Sequence, residues 1–324
     1  VQTVNEVIMR VLITGSSGLI GRWVAGQLKK EGHQTIGLDK APDAQIVCDI
    51  LDQPALVSKV HRAAPDALIH LAARIDLNET KNLGGYAANI DGVRNVIRAV
   101  KQTPSIRRAI YTSSQLVCRI GHVPVSDMEY CPNTLYGQSK VMTEKIVREE
   151  DGGRVEWCLV RPTTVWGPQM SPHYQNLLRF IRKGKYFHCG KGKLYKSYAY
   201  AGNIAYQYAR LLTVQATAMH RKIFYLADYE PLSLREYTDD LAREMGAARI
   251  PIIPIGAARI LAVIGDVLNA CGLRSFPFNS FRLNNILTEY VFDLSITEAV
   301  CGPLPFTREQ GIKETAKWFL SEVI

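Results

Sequence analysis

The feature that most restricts the folds open to this chain is an apolar strand running directly into a glycine-rich turn and then a helix. Arg10–Thr14 is a short apolar run, Gly15-Ser16-Ser17-Gly18-Leu19-Ile20-Gly21 follows without a linker, and Leu19–Lys30 continues with helical periodicity to a basic last turn and Gly32. Glycine at these positions permits a tight turn and lets the backbone come close to a pyrophosphate. The helix that starts there offers unpaired N–H groups and a partial positive charge. A glycine-rich turn says little in isolation; between a buried strand and a helix it predicts a dinucleotide site.

Downstream the pattern alternates. Strands are predicted at 34–38, 44–48, 67–71, 108–113 and 156–160, with helices over 54–64, 86–101 and 138–150 between them. Repeated strand–helix units of this size specify a parallel sheet covered on both faces, an α/β Rossmann-type doubly wound fold. After Pro168 the alternation weakens, with helices expected at 171–186, 201–212 and 232–245 and a strand at 223–227. The expected division is a dinucleotide-binding domain over 1–170 that also receives 197–228, and a smaller C-terminal α/β substrate-binding region made of 171–196 and 229–324. The first eight residues precede Met9, which reads as a natural start, and are left out of the fold reasoning.

Two carboxylates and one helical pair carry the chemistry. Asp39 ends the second strand, where a carboxylate accepts hydrogen bonds from the adenosine ribose hydroxyls and repels a 2′-phosphate. It favours NAD, and the adjacent Lys40 keeps NADP open. Tyr136-Gly137-Gln138-Ser139-Lys140 places a phenol and an ammonium four residues apart, on one helix face. An ammonium that close is expected to lower the phenol's pKa from its usual value of about 10, so that the group exchanges a proton near neutral pH.

With these residues stated, the chain resembles the extended short-chain dehydrogenase/reductase family, in its NAD-dependent nucleotide-sugar epimerase/dehydratase branch. The G-x-x-G-x-x-G spacing is similar to that family's turn. His70-Leu71-Ala72-Ala73 is similar to its fourth-strand segment and Asn89-Ile90-Asp91-Gly92-Val93-Arg94-Asn95-Val96 to its N-x-x-G-x-x-N-V helix. Tyr111–Val117 is similar to its strand-end serine segment, and Arg161–Pro168 to its segment beside the nicotinamide. The resemblance runs from residue 10 to about 168. It implies Ser114, Tyr136 and Lys140 as catalytic residues, with the neighbouring Ser113 and Thr112 as alternatives for the serine role. It implies cofactor contacts from Gly15, Ser17, Gly18, Leu19, Ile20, Gly21, Asp39, Asp49, Ile50, Leu71, Ala72, Ala73, Asn89, Tyr136, Lys140, Pro162 and Val165. For Asp49 the resemblance implies an adenine contact; the residues alone also allow a plain turn cap. Ser114, Gln115 and Lys196 are the implied substrate contacts, Lys196 standing where the family has a diphosphate-binding arginine; Arg282 is a second candidate diphosphate clamp, and a plain surface cation is the alternative. Cys118-Arg119 departs from the family's Tyr-Gly, Trp166 from its Tyr, and Asn203 from its Asp. By the same resemblance a homodimer is expected, paired through helices 86–101 and 138–150.

The implied reaction is hydride and proton transfer on a nucleotide-sugar, of the 4-epimerase or 4-ketoreductase type. A 3β-hydroxysteroid-dehydrogenase-like enzyme and a non-catalytic NAD(P)-sensing protein are the alternatives. Dehydration requires an Asp-Glu pair after the catalytic serine, and Gln115-Leu116 stand there. Seven cysteines without a C-x-x-C pair argue against a disulfide framework or a metal site and suit a reducing cytoplasm. The formal charge of +9 suits anionic ligands, but no run of five Lys/Arg points to nucleic acid. The most apolar stretch, 250–273, is interrupted by Pro251, Pro254, Arg259 and Asp266. A buried or interface helix over 256–270 is expected there, with membrane-surface contact as the alternative and no membrane span.

Overall fold

The computed structural model describes residues 8–77, 81–271 and 278–323. Strands β1 (Arg10–Thr14), β2 (Gln34–Asp39), β3 (Ile46–Val47), β4 (Ala67–His70), β5 (Arg108–Thr112) and β6 (Glu156–Pro162) follow in chain order. Short strands come next: β7 (Thr164–Trp166), β8 (His188–Cys189), β9 (Tyr195–Lys196) and β10 (Tyr198–Tyr200), then β11 (Ile223–Leu226), β12 (Leu232–Ser233) and β13 (Ile252–Ile253). Seven of them make one sheet in the order β11-β6-β5-β4-β1-β2-β3, and every neighbouring pair in it is parallel. This is the doubly wound fold that the alternating pattern predicts. Because both faces are covered, the strands are apolar throughout; Val11, Leu12, Ile13, Leu68 and Ile69 have no exposed surface.

The helices show why their sequences form them. In α1 (Leu19–Lys30) the buried positions Gly21, Val24 and Leu28 fall on one face, and Lys29 and Lys30 complement the C-terminal dipole. Helix α2 (Gln53–Ala63) starts at Asp52, whose side chain accepts from the Ala55 N–H, with Pro54 in the first turn. Helix α3 (Ala87–Lys101) buries Val93, Val96, Ile97 and Val100, and α4 (Leu135–Glu149) starts at Thr134, which caps the Gly137 N–H. Helices α5 (Pro172–Arg182), α6 (Ala201–Thr213), α7 (Ala216–Met219) and α8 (Leu234–Glu244) follow. The chain ends with α9 (Ile255–Ala270), α10 (Ser280–Leu287), α11 (Ser295–Cys301) and α12 (Arg308–Glu322).

Residues 198–226 return to the sheet: β10 pairs with β7, α6 packs on α1, and β11 pairs with β6. Residues 290–301 come back as well. Phe292 stacks on Tyr225 with centroids 4.4 Å apart, and the Thr297 hydroxyl donates to the Tyr225 carbonyl. A second core gathers Trp166, Leu178, Tyr237, Leu241, Ile312 and Phe319 from β7, α5, α8 and α12.

The apolar stretch forms the expected helix, and its outer face is exposed rather than buried within this chain. Helix α9 forms, but it buries only Ala258, Ala262 and Gly265, against Leu283 of α10 and Cys189 of β8. Small residues on its inner face supply little apolar area, and its larger aliphatic side chains point to the surface. Residues 272–273, the end of that stretch, lie outside the described residues.

Candidate active site

The strand order reverses between β1 and β4, the point at which open parallel sheets bind ligands beyond their carboxyl ends. Gly15 leaves β1 there with φ +74° and lies so close to Ala72, after β4, that a Cβ would sit 2.6 Å from the Ala72 nitrogen. A Cβ on Gly21 would fall 2.3 Å from the Gly15 carbonyl oxygen, so the helix packs backbone-to-backbone on the turn. The start of α1 has no side-chain cap and no acidic residue in its first turn. No side chain of the helix itself therefore occupies the N–H groups of its first turn. The turn fits a dinucleotide pyrophosphate on these grounds.

Asp39 stands at the end of β2 and accepts from the Ser17 N–H at 3.1 Å and the Ala41 N–H at 3.1 Å. These bonds orient its carboxylate beside the turn, and a carboxylate has further acceptor capacity for ribose hydroxyls. Lys40 is exposed. Asp49 is exposed and accepts from the Leu51 N–H at 2.9 Å, while the neighbouring Ile50 is buried. Leu71 and Ala72 donate backbone N–H groups to the Thr14 hydroxyl, which pairs with His70 Nδ1 at 2.8 Å. Burial, reinforced by the Lys140 charge, pushes the His70 pKa down to about 3, so the ring is a neutral structural group. Ala73 is half-buried in the same segment. Asn89 is buried and spends its amide on Arg74 N, Arg74 O and the Ser139 hydroxyl. It shapes the loop after β4, and its side-chain amide is committed to protein partners. Pro162 ends β6 opposite Leu226, and Val165 pairs with Ala199.

The three predicted catalytic residues meet at the carboxyl ends of β4 and β5. Ser114 follows β5, is buried, and accepts from the Leu116 N–H. Its hydroxyl acts on the Tyr136 phenol, favouring the ionised form. Tyr136 and Lys140 are buried one turn apart on α4, and the Lys140 ammonium donates to the Thr112 carbonyl at 3.0 Å. Gly137, which carries no role in the sequence reading, makes this approach possible: a Cβ there would lie 2.3 Å from the Leu116 carbonyl oxygen.

The electrostatics correct one expectation. Desolvation raises the Tyr136 pKa to about 12. The Ser114 hydroxyl opposes that rise, and Tyr174 and Tyr86 add to it. Lys140 is directed to the Thr112 carbonyl, and its charge does not lower the phenol's pKa here. Burial also lowers the Lys140 pKa to about 8, with Glu144 partly restoring it. The i,i+4 spacing correctly places both groups on one face; it carries no information on the cost of burying them.

Behind them lies a polar network absent from the sequence reading. Glu144 is fully buried, and its two oxygens accept from Arg161 Nε and Nη2, both at 2.8 Å. Ser113 and Tyr130 donate to the same carboxylate at 2.6 and 2.9 Å. Arg161 donates in addition to the Tyr225 hydroxyl and the Asp127 carbonyl. Tyr136, Lys140 and Glu144 recur every fourth residue, the one signal that could have revealed the acid.

On the substrate side, Gln115 is buried and its Oε1 has no hydrogen-bond partner among the described residues. Lys196 is also buried, and its ammonium is committed to the Asn285 carbonyl and the face of Tyr290, 5.1 Å from the ring centroid. Burial lowers its pKa to about 8. Arg282 is exposed on α10. Apart from these, ligand atoms of Cys118, His122 and Cys131 fall within 4.8 Å of one another, a convergence that a search for C-x-x-C spacing does not find.

Residues 11–227 match the NAD dependent epimerase/dehydratase family. The chain belongs to this family. It is 26% identical to the N-acetyl-alpha-D-glucosaminyl-diphospho-ditrans,octacis-undecaprenol 4-epimerase of Escherichia coli O157:H7, over 95% of this chain and 94% of that protein. It is also 26% identical to a 3-beta-hydroxysteroid dehydrogenase of Mycolicibacterium neoaurum, over 98% of this chain and 93% of that protein. Among solved structures, the UDP-N-acetylglucosamine 4-epimerase of Bacillus cereus aligns with TM-score 0.75 at 15% identity, over 97% of this chain and all of that one. The UDP-glucuronic acid 4-epimerase of Bacillus cereus, in complex with NAD, aligns with TM-score 0.72 at 16% identity, over 96% and 99%. These two structures agree with the fold. The family is one of NAD-dependent enzymes, and the chain is an enzyme of the extended short-chain dehydrogenase/reductase type.

Proposed function

We propose that the chain is a 4-epimerase or 4-ketoreductase acting on a sugar carried on a diphosphate, with Ser114, Tyr136 and Lys140 as its catalytic residues. The observation that carries this reading is the Ser114 hydroxyl meeting the Tyr136 phenol, with Lys140 one turn on, beside the strand ends that face the glycine turn. NAD, which the Gly15–Gly21 turn and Asp39 would hold, would supply the acceptor and donor of hydride for the sugar carbon. Tyr136 takes the proton from that carbon's hydroxyl and gives it back to the carbonyl oxygen. Ser114 hydrogen-bonds the same oxygen and orients it. With a pKa of about 12 before ligand binds, Tyr136 is held as the acid. The same phenol must lose its proton to act as a base, and a Lys140 ammonium turned from the Thr112 carbonyl toward the ligand favours that loss. Proton transfer by such a residue contributes roughly 10²–10⁴-fold. The homodimer through α3 and α4 is part of the proposal, as are the roles of Asp39 and Asp49 at the adenosine.

The second reading is oxidation of an apolar secondary alcohol of the sterol kind. Its support is Lys196, which stands where a diphosphate clamp is expected yet is spent on Asn285 and Tyr290, together with the 3-beta-hydroxysteroid dehydrogenase relative. A turnover panel of UDP-, GDP- and dTDP-sugars, a polyprenyl-diphospho-sugar and a 3β-hydroxysteroid, each with NAD and NADP, tests both readings. Epimerised or reduced sugar is the expected result; turnover of the steroid alone replaces the first reading by the second.

A further inference from the structure

We infer that the outer face of α9 and α10 is a docking surface for an anionic phospholipid bilayer. Ile260, Val263, Ile264 and Val267 recur at helical spacing along α9. Ile260 is 65% exposed, Val263 and Val267 each 57%, and Phe281 of α10 extends the face at 58%. Ile252, Ile255 and Leu261 are exposed beside them. Val123, Val125 and Met128 form a smaller exposed group on one loop; on α9 and α10, which pack together, the exposed apolar side chains are more numerous, a concentration that marks an interaction surface. The face is firmly supported from below. Ala258, Ala262 and Leu283 pack the two helices, and Phe187 meets Phe278 edge-on with centroids 5.1 Å apart.

Charge identifies the occupant. The segment 182–193 has five Lys/Arg and no acid, of which Lys193 is paired with Glu236; among the described residues 249–282 hold Arg249, Arg259 and Arg282 against the single acid Asp266. Strand β8, between Lys185 and Lys191, pairs with β13 immediately before α9, which puts this basic segment at the edge of the apolar face. Arg249, Arg259, Arg282, Lys185 and Lys191 are all exposed. An apolar face rimmed by cations fits an interfacial helix, with the aliphatic side chains below the headgroups and the cations among the phosphates. A second copy of this chain fits poorly, because two-fold pairing through this face sets the basic rim against itself. Helix α9, with 16 residues, is about 24 Å long and does not span a bilayer, and among the described residues no helix is long and apolar enough to cross one. It lies on the surface. Because the Asn285 carbonyl of α10 holds Lys196, and the Lys196 backbone bridges to Tyr290, the face is tied to the substrate side of the cleft. The inference goes beyond the proposed reaction and holds whichever alcohol is oxidised.

Flotation of the purified chain with vesicles of equal phosphatidylglycerol and phosphatidylcholine tests it, with phosphatidylcholine vesicles alone for comparison. The chain is expected to float with the anionic vesicles, less so at high salt, and Tyr136→Phe to float equally well. Ile264→Glu should reduce vesicle binding roughly tenfold or more while keeping NAD binding, which shows that the variant is folded. Absence of flotation, or Ile264→Glu floating like the parent chain, overturns the inference. So does a wild-type dimer that Ile264→Glu converts to a monomer without any vesicle binding.

Discussion

Replacing Lys140 by methionine should change the pH dependence of folding stability in a defined window. Burial lowers the pKa of this ammonium from 10.5 to about 8, because the low-dielectric interior disfavours the charged form more than Glu144 supports it. Below pH 8 both the folded and unfolded chains hold the proton, so the penalty of the buried charge is present in full and does not vary. Between pH 8 and 10.5 the unfolded chain binds more protons than the folded one, so stability rises with pH. Above 10.5 the penalty is gone. A shift from 10.5 to about 8 corresponds to about 3 kcal/mol. The loss of the bond to the Thr112 carbonyl affects the variant at every pH and does not mimic this slope. Urea unfolding of the wild-type and Lys140→Met apoproteins at pH 7.5, 9 and 10.5 isolates the effect as a difference between the two curves. Wild type should gain about 3 kcal/mol relative to the variant across the series. A difference that stays flat, or falls with pH, refutes a buried ammonium with a lowered pKa.

Gly21→Ala puts a Cβ against the Gly15 carbonyl oxygen, a backbone atom with nowhere to move. Overpacking of this kind costs about 1–3 kcal/mol, and titration with NAD should show affinity reduced at least about tenfold, since the same backbone would face the pyrophosphate. Asp39→Ala removes the carboxylate at the end of β2; the ratio of NAD to NADP affinities should fall by about tenfold or more as a charge-assisted bond is lost, and an unchanged ratio sinks its assignment to the ribose. Glu144→Gln leaves the fully buried Arg161 without its counter-ion, and denaturant unfolding should report a loss of about 3–5 kcal/mol; a loss below about 1 kcal/mol would mean that Arg161 finds its compensation elsewhere.

The residues that were legible from sequence are those whose position follows from local chain geometry. An apolar strand, a glycine turn and a helix in direct succession leave one arrangement for Gly15–Gly21, and Tyr136 and Lys140 share a helix face by spacing alone. The pattern predicts α4 from 138, whereas the helix begins at Leu135, because Thr134 caps the Gly137 N–H and starts it one turn earlier. What stayed hidden depends on contacts distant in sequence. The commitment of Lys196 to Asn285 spans 89 residues and requires the return of the C-terminal segment. The Glu144–Arg161 pair depends on β6 lying behind α4. Which of burial, an interface or a membrane surface α9 meets is not legible, because a hydrophobic helix suits all three until its inner face is seen to hold only Ala258, Ala262 and Gly265. The direction of the Tyr136 shift followed the same rule: spacing reveals a neighbour, while burial is a property of the whole fold.

The most direct test is a single turnover of Tyr136→Phe with bound NAD and the best substrate from the panel. Proton removal by the phenol and hydride loss from the same carbon are coupled, so nicotinamide reduction should fall by about 10²-fold or more while NAD affinity stays as in wild type. Reduction at the wild-type rate in this variant would contradict the assignment of the proton to Tyr136.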